Sequence, residues 1–285
     1  MLERGGTSRA AWAWRRFRAN RAASAAAVFL VAAHAAAVAA PILASRPYDQ
    51  IDLRSKFAAP SRLFPLGTDE TGRDILSRLL YGARVSLGIG FVSVVIAIGV
   101  GTALGGLAGY GREAVDAVIM RTADGMLSVP LFFFILTALA LWGPTLTNLI
   151  LAIALTSWMT TARIVRGEVL RGKTLDFVAA ARALGAGDGR ILWLHLLPHS
   201  VPSIIVASTL GVAYAILTES ALSYLGLGVQ PPVPSWGNML SGARGYLWNA
   251  PHLAFYPGLL ILVTVLAYNF LGDGLSDALE PATRD

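Results

Sequence analysis

The sequence predicts an all-α integral membrane protein with six transmembrane helices. Of its 285 residues, 55% are hydrophobic and only 14% charged, whereas soluble domains carry about 25% charged residues. Six separate apolar stretches, 22–45, 85–110, 125–142, 144–162, 200–225 and 253–272, approach or exceed the roughly 20 helical residues that cross a bilayer core. Helices are the expected form because a backbone in lipid must satisfy its own hydrogen bonds.

Charge sets the expected topology. There are 23 Lys and Arg against 17 Asp and Glu, with a pI of about 10.0. In a soluble chain that balance points to nucleic acid; here it fits basic loops retained on the cytoplasmic side, with no nucleic-acid partner. With the N-terminus inside, the inner segments (1–22, 109–121, 163–199, 275–285) hold 15 basic residues and the outer ones (46–84, 142–146, 226–252) hold 8. Both termini are then cytoplasmic. The first outer segment is the exception, offsetting seven bases with Asp49, Asp52, Asp69, Glu70 and Asp74. The chain has no cysteine, which removes disulfides, thiol nucleophiles and thiolate metal sites.

The elements follow in order. Residues 1–21 form a cytoplasmic tail with six arginines and one acid, Glu3. The first span, 22–45, runs past Ala40 through Pro41-Ile42-Leu43, longer than the 7 to about 15 apolar residues of a cleaved signal peptide, so it is read as uncleaved. An external segment, 46–83, carries Leu66-Gly67-Thr68-Asp69-Glu70-Thr71-Gly72-Arg73-Asp74. Its spacing misses the twelve-residue calcium loop and reads as a turn capping the next helix. Residues 84–285 form a five-helix core. Between Gly88 and Gly111 eight glycines recur, including Gly101, Gly105 and Gly109 four apart, the small-residue spacing of closely packed membrane helices.

Pro130 in the third span suits a kink or hinge, because proline frees a backbone carbonyl. Asn148, Thr156, Ser157, Thr160 and Thr161 give the fourth span a polar stripe, for bonding to neighbouring helices or lining a path. Glu219 is the one acid well inside a span and thereby a candidate for function. Its alternatives are a buried acid bonded to serine or tyrosine partners and a proton-coupling group. The outer loop 226–252 opens on a proline-rich stretch ending at Trp236, suited to press on a partner or close over a pore. Pro130, Glu219 and Trp236 are the candidates for the translocation path or its gating.

Residues 163–199 are a polar island between two spans. Thr174 to Gly185 reads as a short amphipathic helix with Phe177, Ala180, Ala181 and Leu184 on one face, followed by Gly185, Gly187 and Gly189 and a segment ending at Pro198. Gly167 to Thr174 matches the phosphate-binding pattern GxxxxGK[ST] letter for letter. That pattern needs a strand before and a helix after, and here a membrane span precedes it, so nucleotide binding is not expected. No HExxH or GxSxG is present. His195 and His199 share a helical spacing that Pro198 is expected to interrupt, and no metal site is assigned.

The island resembles inner-membrane permease subunits of ATP-binding-cassette importers, specifically the C-type subunit of dipeptide, oligopeptide and nickel systems. Their pattern is Glu-Ala-Ala, three residues, Gly, nine residues, Ile, one residue, Leu-Pro. Ala180, Ala181, Gly185, Leu197 and Pro198 fall on it, with Ala179 in place of the glutamate and His195 in place of the isoleucine. Further matches are Leu66-Gly67-Thr68-Asp69 with Gly72-Arg73-Asp74, Tyr81-Gly82-Ala83-Arg84, Arg166-Gly167-Glu168, Leu222 to Gly228, Pro231 to Gly237, and Gly272-Asp273-Gly274-Leu275. The likeness covers nearly everything after residue 60.

The resemblance implies the type I importer permease fold in a bacterial cytoplasmic membrane. It implies a homologous second permease subunit, two cytoplasmic ATPase subunits that bind ATP and magnesium, and an extracytoplasmic solute-binding protein. This subunit would be non-catalytic, hold no cofactor, and contact an ATPase through a coupling helix formed by Asp176, Phe177, Ala179, Ala180, Ala181, Leu184 and Gly185, tied to the fifth span through Leu197 and Pro198. Asp176 or Glu168 is placed to substitute for the missing glutamate. Short peptides are the expected solute, with nickel or another small solute as the alternative. From other classes, the alternatives are an ion-coupled secondary transporter, with Glu219 as its one candidate ion site, and a membrane scaffold that binds ATPases without moving solute.

Overall fold

The computed structural model describes residues 9–279, all helices and connections apart from one isolated bridge between Thr68 and Asp74. The ends of the predicted cytoplasmic tails, residues 1–8 and 280–285, lie outside the described residues. A basic helix, α1 (Arg9–Ala19), precedes α2 (Arg21–Val38), and α3 (Ala40–Leu43) continues the first span after a one-residue interruption. Asn20 makes the first corner: its side chain accepts the Ala23 N–H at 3.1 Å and caps α2. Phe17 of α1 is buried with Ala23 and Ala278.

α4 (Ile75–Tyr110) is 36 residues long, about 54 Å at 1.5 Å per residue, far more than a bilayer core needs. It begins ten residues before the predicted span because Asp74 caps it there, accepting the Ser77 N–H at 2.9 Å and the Ser77 hydroxyl at 2.6 Å. The turn before it is drawn together by Asp69, which accepts from Thr71 N, Thr71 Oγ1, Arg73 N and Arg73 Nε at 2.6–3.0 Å. Both oxygens of Asp69, one oxygen of Glu70 and Oδ2 of Asp74 are thus occupied by N–H and O–H donors. Gly67 and Gly72 take positive φ, and a side chain at Gly72 would collide with the Asp52 carbonyl.

α5 (Glu113–Leu127) and α6 (Leu131–Trp142) replace the single helix predicted over 125–142 and meet at 86°. Pro130 is the reason: it offers no N–H to the preceding turn and keeps Val129 out of the helical region. α5 is tied to α7 (Leu146–Gly172) by Arg166, whose guanidinium donates to both oxygens of Asp116 at 2.5 and 2.6 Å, and by Arg163 to Asp124. Among the described residues, five helical units are long and apolar enough to cross a membrane, and six if the bent pair is one span.

The most extensive helix contact is α4 against α7, and its seam is the glycine row. A Cβ on Gly101 would lie 2.7 Å from the Trp158 carbonyl, on Gly105 2.3 Å from that of Ala162, and on Gly109 3.0 Å from that of Arg166. The two backbones therefore touch in a four-residue register along two turns or more. Without a hydrophobic drive between helices in lipid, this contact is dispersion and close backbone approach.

Beyond α7 come α8 (Asp176–Ala183), α9 (Asp188–Ile191), a wide π turn (Leu192–Leu196) and α10 (Leu197–Tyr224). Pro198 does not break this run: 188–224 behaves as one helical unit. The π turn precedes the proline, and its wider winding avoids the clash and lost bond that a proline inflicts on an α-helical turn. α11 (Trp236–Ala243) and α12 (His252–Leu279) complete the chain, with α12 packed on α2 and α10.

Candidate functional site

Two assemblies stand at opposite ends of α4. At the end of α7 the chain builds a small second core from Val165, Val169, Val178, Ile191, Leu192, Leu196 and Leu197, all buried. It fixes α8 as a knob. Asp176 sits in the first turn of α8 and Arg182 in the last, each charge favourable to the helix dipole. The helix ends in a Schellman motif: Ala186 N–H donates to Ala181 O at 3.0 Å and Gly185 N–H to Arg182 O at 2.9 Å. Gly185 carries φ +81, the left-handed cap position that glycine fills without strain.

Of the expected apolar face of α8, Phe177, Ala180 and Leu184 are exposed, Leu184 at 89%, and Ala181 is half-buried against the knob core. Val178 points inward at 0% exposure, and Ala179 is exposed. Val178, seated among Val169, Ile191 and Leu196, turns the rest of that face outward. The free stripe is Phe177, Ala180 and Leu184, flanked by Leu175 and Asp176. Phe177 also lies 5.9 Å from the His199 ring, tying α8 to α10. Leu197 is buried in the knob core, and Pro198 is exposed at the start of α10.

Glu168 is committed elsewhere: it accepts from Ser203 Oγ at 2.8 Å and lies 3.6 Å from Arg171. Asp176 is the acid available on the exposed side. The segment matching the phosphate-binding pattern, Gly167 to Gly172, is the last part of α7, with Lys173 as its C-cap. Lys173 Nζ donates to the Tyr110 carbonyl at 3.1 Å, and burial, then Arg182, pulls its ammonium below the ordinary lysine value. This is no loop with converging N–H groups.

At the other end, Glu219 is fully buried. It accepts from Ser86 Oγ on α4 at 2.9 Å, from Ser223 Oγ at 2.7 Å and from Ser220 Oγ at 3.5 Å. Ser86 Oγ in turn accepts the Trp236 N–H at 3.2 Å, and Trp236 Nε1 donates to the Leu79 carbonyl at 3.2 Å. Ser235 caps α11 through a reciprocal pair with Asn238. Trp236 is buried, and Gly237 packs so closely that a Cβ would meet Ser220 Cα at 2.6 Å. Glu219 is thus the shared acceptor that clamps α11 onto α4 and α10. The reading of Glu219 as a buried acid bonded to serine partners matches the structure; that Ser86 also joins it to Trp236 was not legible, because Ser86 lies on a different helix.

Pro130 is exposed at the elbow between α5 and α6. Of the polar stripe on α7, Thr156 and Ser157 bond back to the carbonyls of their own helix. With Thr160, Thr161, Ser208 and Tyr214 they line a groove of about 360 Å³ between α4, α7 and α10. Asn148 instead caps α6, donating to the Trp142 carbonyl at 2.7 Å.

These features agree with comparisons to known proteins. The family model described as "Binding-protein-dependent transport system inner membrane component" matches residues 101–285. A model described as "N-terminal TM domain of oligopeptide transport permease C" matches residues 8–60. The chain is 43% identical over 274 residues to a glutathione transport system permease protein of Pectobacterium atrosepticum, covering 95% of this chain and 90% of that one. It is 39% identical over 272 residues to a dipeptide transport system permease protein of Alkalihalophilus pseudofirmus, covering 95% and 90%. It is 42% identical over 280 residues to a di/tripeptide transport system permease protein of Pseudomonas aeruginosa, covering 95% and 92%. The inward-facing MetNI methionine ABC transporter shares the fold, with TM-score 0.59 and 20% identity over 73% of this chain and 98% of that one. An all-helical chain with a glycine-seamed helix pair, a broken third span and a knob between its fourth and fifth spans therefore belongs to the binding-protein-dependent inner-membrane components, the integral permease subunits of ATP-binding-cassette importers.

Proposed function

We propose that this permease carries short peptides, dipeptides in the first instance, into the cytoplasm. It does so as one half of a permease heterodimer, with two ATPase subunits on the knob side and a solute-binding protein at the far end. The knob then faces the cytoplasm, and both termini lie on that side. The observation that carries the reading is α8 itself. A helix anchored by one buried valine, closed by a Schellman turn and continuous with α10 leaves Phe177, Ala180 and Leu184 bare. An exposed apolar stripe on a rigid support is what a partner's groove takes up. The peptide assignment is supported by the relatives named for glutathione, dipeptides and di/tripeptides.

Mechanistically, the subunit supplies no chemistry of its own. ATP-driven closure of the two ATPases brings two such knobs together, and the push on α8 enters α10 through the π turn and Leu197. The groove offers the exposed hydroxyls of Thr160 and Tyr214 to a peptide backbone during passage. Glu219, enclosed by serine hydroxyls at the far end, serves as a clamp and not as an ion relay.

The test is uptake of a labelled dipeptide into vesicles holding the assembled complex. Uptake that requires ATP and both ATPase subunits supports the reading. Uptake driven by an ion gradient without them contradicts it.

A further inference from the structure

α4 runs unbroken between the two assemblies, and its last residue, Tyr110, grips the knob at three points. The Tyr110 hydroxyl donates to Asp188 Oδ1 at 2.5 Å and accepts from Arg182 Nη2 at 3.4 Å. Its carbonyl accepts Lys173 Nζ at 3.1 Å, and the same ammonium lies 4.9 Å over its ring. The ring also packs against the knob core together with Ala181 and Ala186. Lys173, Arg182 and Asp188 belong to three consecutive pieces: the end of α7, α8, and the start of α9.

The chemistry favours this grip. The C-terminal carbonyls of α4 are the negative end of its dipole, which suits two cations. Asp188 offsets one of the two positive charges, and hydrogen bonds with one ionised partner are about twice as strong as neutral ones. A displacement of α8 must therefore carry Tyr110 with it or break these bonds. At its other end α4 holds Trp236 through the Leu79 carbonyl and Ser86.

We propose that Tyr110 is the positioning residue that joins the knob to α4, so that movement imposed on α8 reaches α11 along α4 as well as along α10. The inference rests on the reading of α8 as the ATPase-docking helix. No motif reveals it, because Tyr110 and Asp188 are 78 positions apart.

The experiment uses the whole complex in vesicles and measures labelled dipeptide taken up per ATP hydrolysed. Tyr110→Phe keeps the ring, its packing and the carbonyl bonded to Lys173, and removes only the hydroxyl. Its hydrolysis rate should stay within about twofold of wild type while uptake per ATP falls about tenfold to a hundredfold, the scale of one charge-assisted hydrogen bond. Asp188→Ala should behave alike, Asp188→Asn, which retains the acceptor, should recover most of the ratio, and the double variant Tyr110→Phe with Asp188→Ala should be no worse than either single one. A wild-type ratio in Tyr110→Phe, additive losses in the double variant, or losses that track only the amount of folded complex would overturn the proposal. Gly185→Arg, measured alongside, separates the two levels. If it stops uptake while Tyr110→Phe is normal, only the role of Tyr110 falls; if Gly185→Arg itself transports normally, the docking role of α8 falls.

Discussion

Glu219 on α10 and Ser86 on α4 are joined at 2.9 Å inside a fully buried pocket, and the same serine oxygen receives the backbone N–H of Trp236. Three elements from distant parts of the chain are thereby locked by one carboxyl group. Glu219→Ala would leave the Ser86 and Ser223 hydroxyls without an acceptor and is expected to cost about 2–4 kcal/mol. It should lower the thermal midpoint and speed labelling of a cysteine placed at Ser241 on α11. Glu219→Gln, which keeps one acceptor oxygen, should lie between. A proton-relay role would give the opposite pattern: full stability in Glu219→Gln, with uptake lost.

The glycine seam predicts a position-specific response. Gly105→Ala places a methyl 2.3 Å from the Ala162 carbonyl and should destabilise the α4–α7 pair by about 1–3 kcal/mol, the usual scale of overpacking. Gly99→Ala, on the same helix with nothing within 4 Å, should be neutral or slightly stabilising. Thermal unfolding in detergent compares the two directly.

On the knob, stability and partner contact should separate. Val178→Ala removes two fully buried methyl groups and is expected to cost about 2 kcal/mol. Leu184→Ala, on the exposed stripe, should leave the midpoint unchanged while weakening co-purification of the ATPase subunits. Equal effects of both variants on stability would contradict the placement of Val178 as the anchor.

Gly185 links the two properties. Its φ of +81 makes any side chain cost about 1 kcal/mol or more, yet a side chain there meets open space. Gly185→Arg should therefore insert and fold in the membrane while uptake stops, measured as membrane-extracted protein against transported dipeptide.

The spans were legible because lipid demands long apolar runs, and the knob because a polar island stands out between them. The cap at Asp74 was legible too, but Arg78 and Arg84 hid the continuity of α4, since the burial of Arg78 beside Asp69 is a tertiary fact. Pro198 was misread as a helix end because proline's cost is stated for α-helical turns, and a preceding π turn changes the geometry it meets. Which residue anchors α8 was not legible, because the burial of Val178 depends on the packing of α7 against the π turn. The bonds of Ser86 to Glu219 and of Tyr110 to Asp188 join side chains 133 and 78 positions apart, brought together only once the helices pack.

The central claim is that a partner ATPase seats on the bare stripe of α8. The chain contains no cysteine, so a single Leu184→Cys is a clean reporter. In the assembled complex, a short thiol crosslinker should join residue 184 to an ATPase subunit, and water-soluble thiol reagents should label it only when the ATPases are absent. Equal labelling with and without the ATPases, and no crosslinked product, would contradict the account.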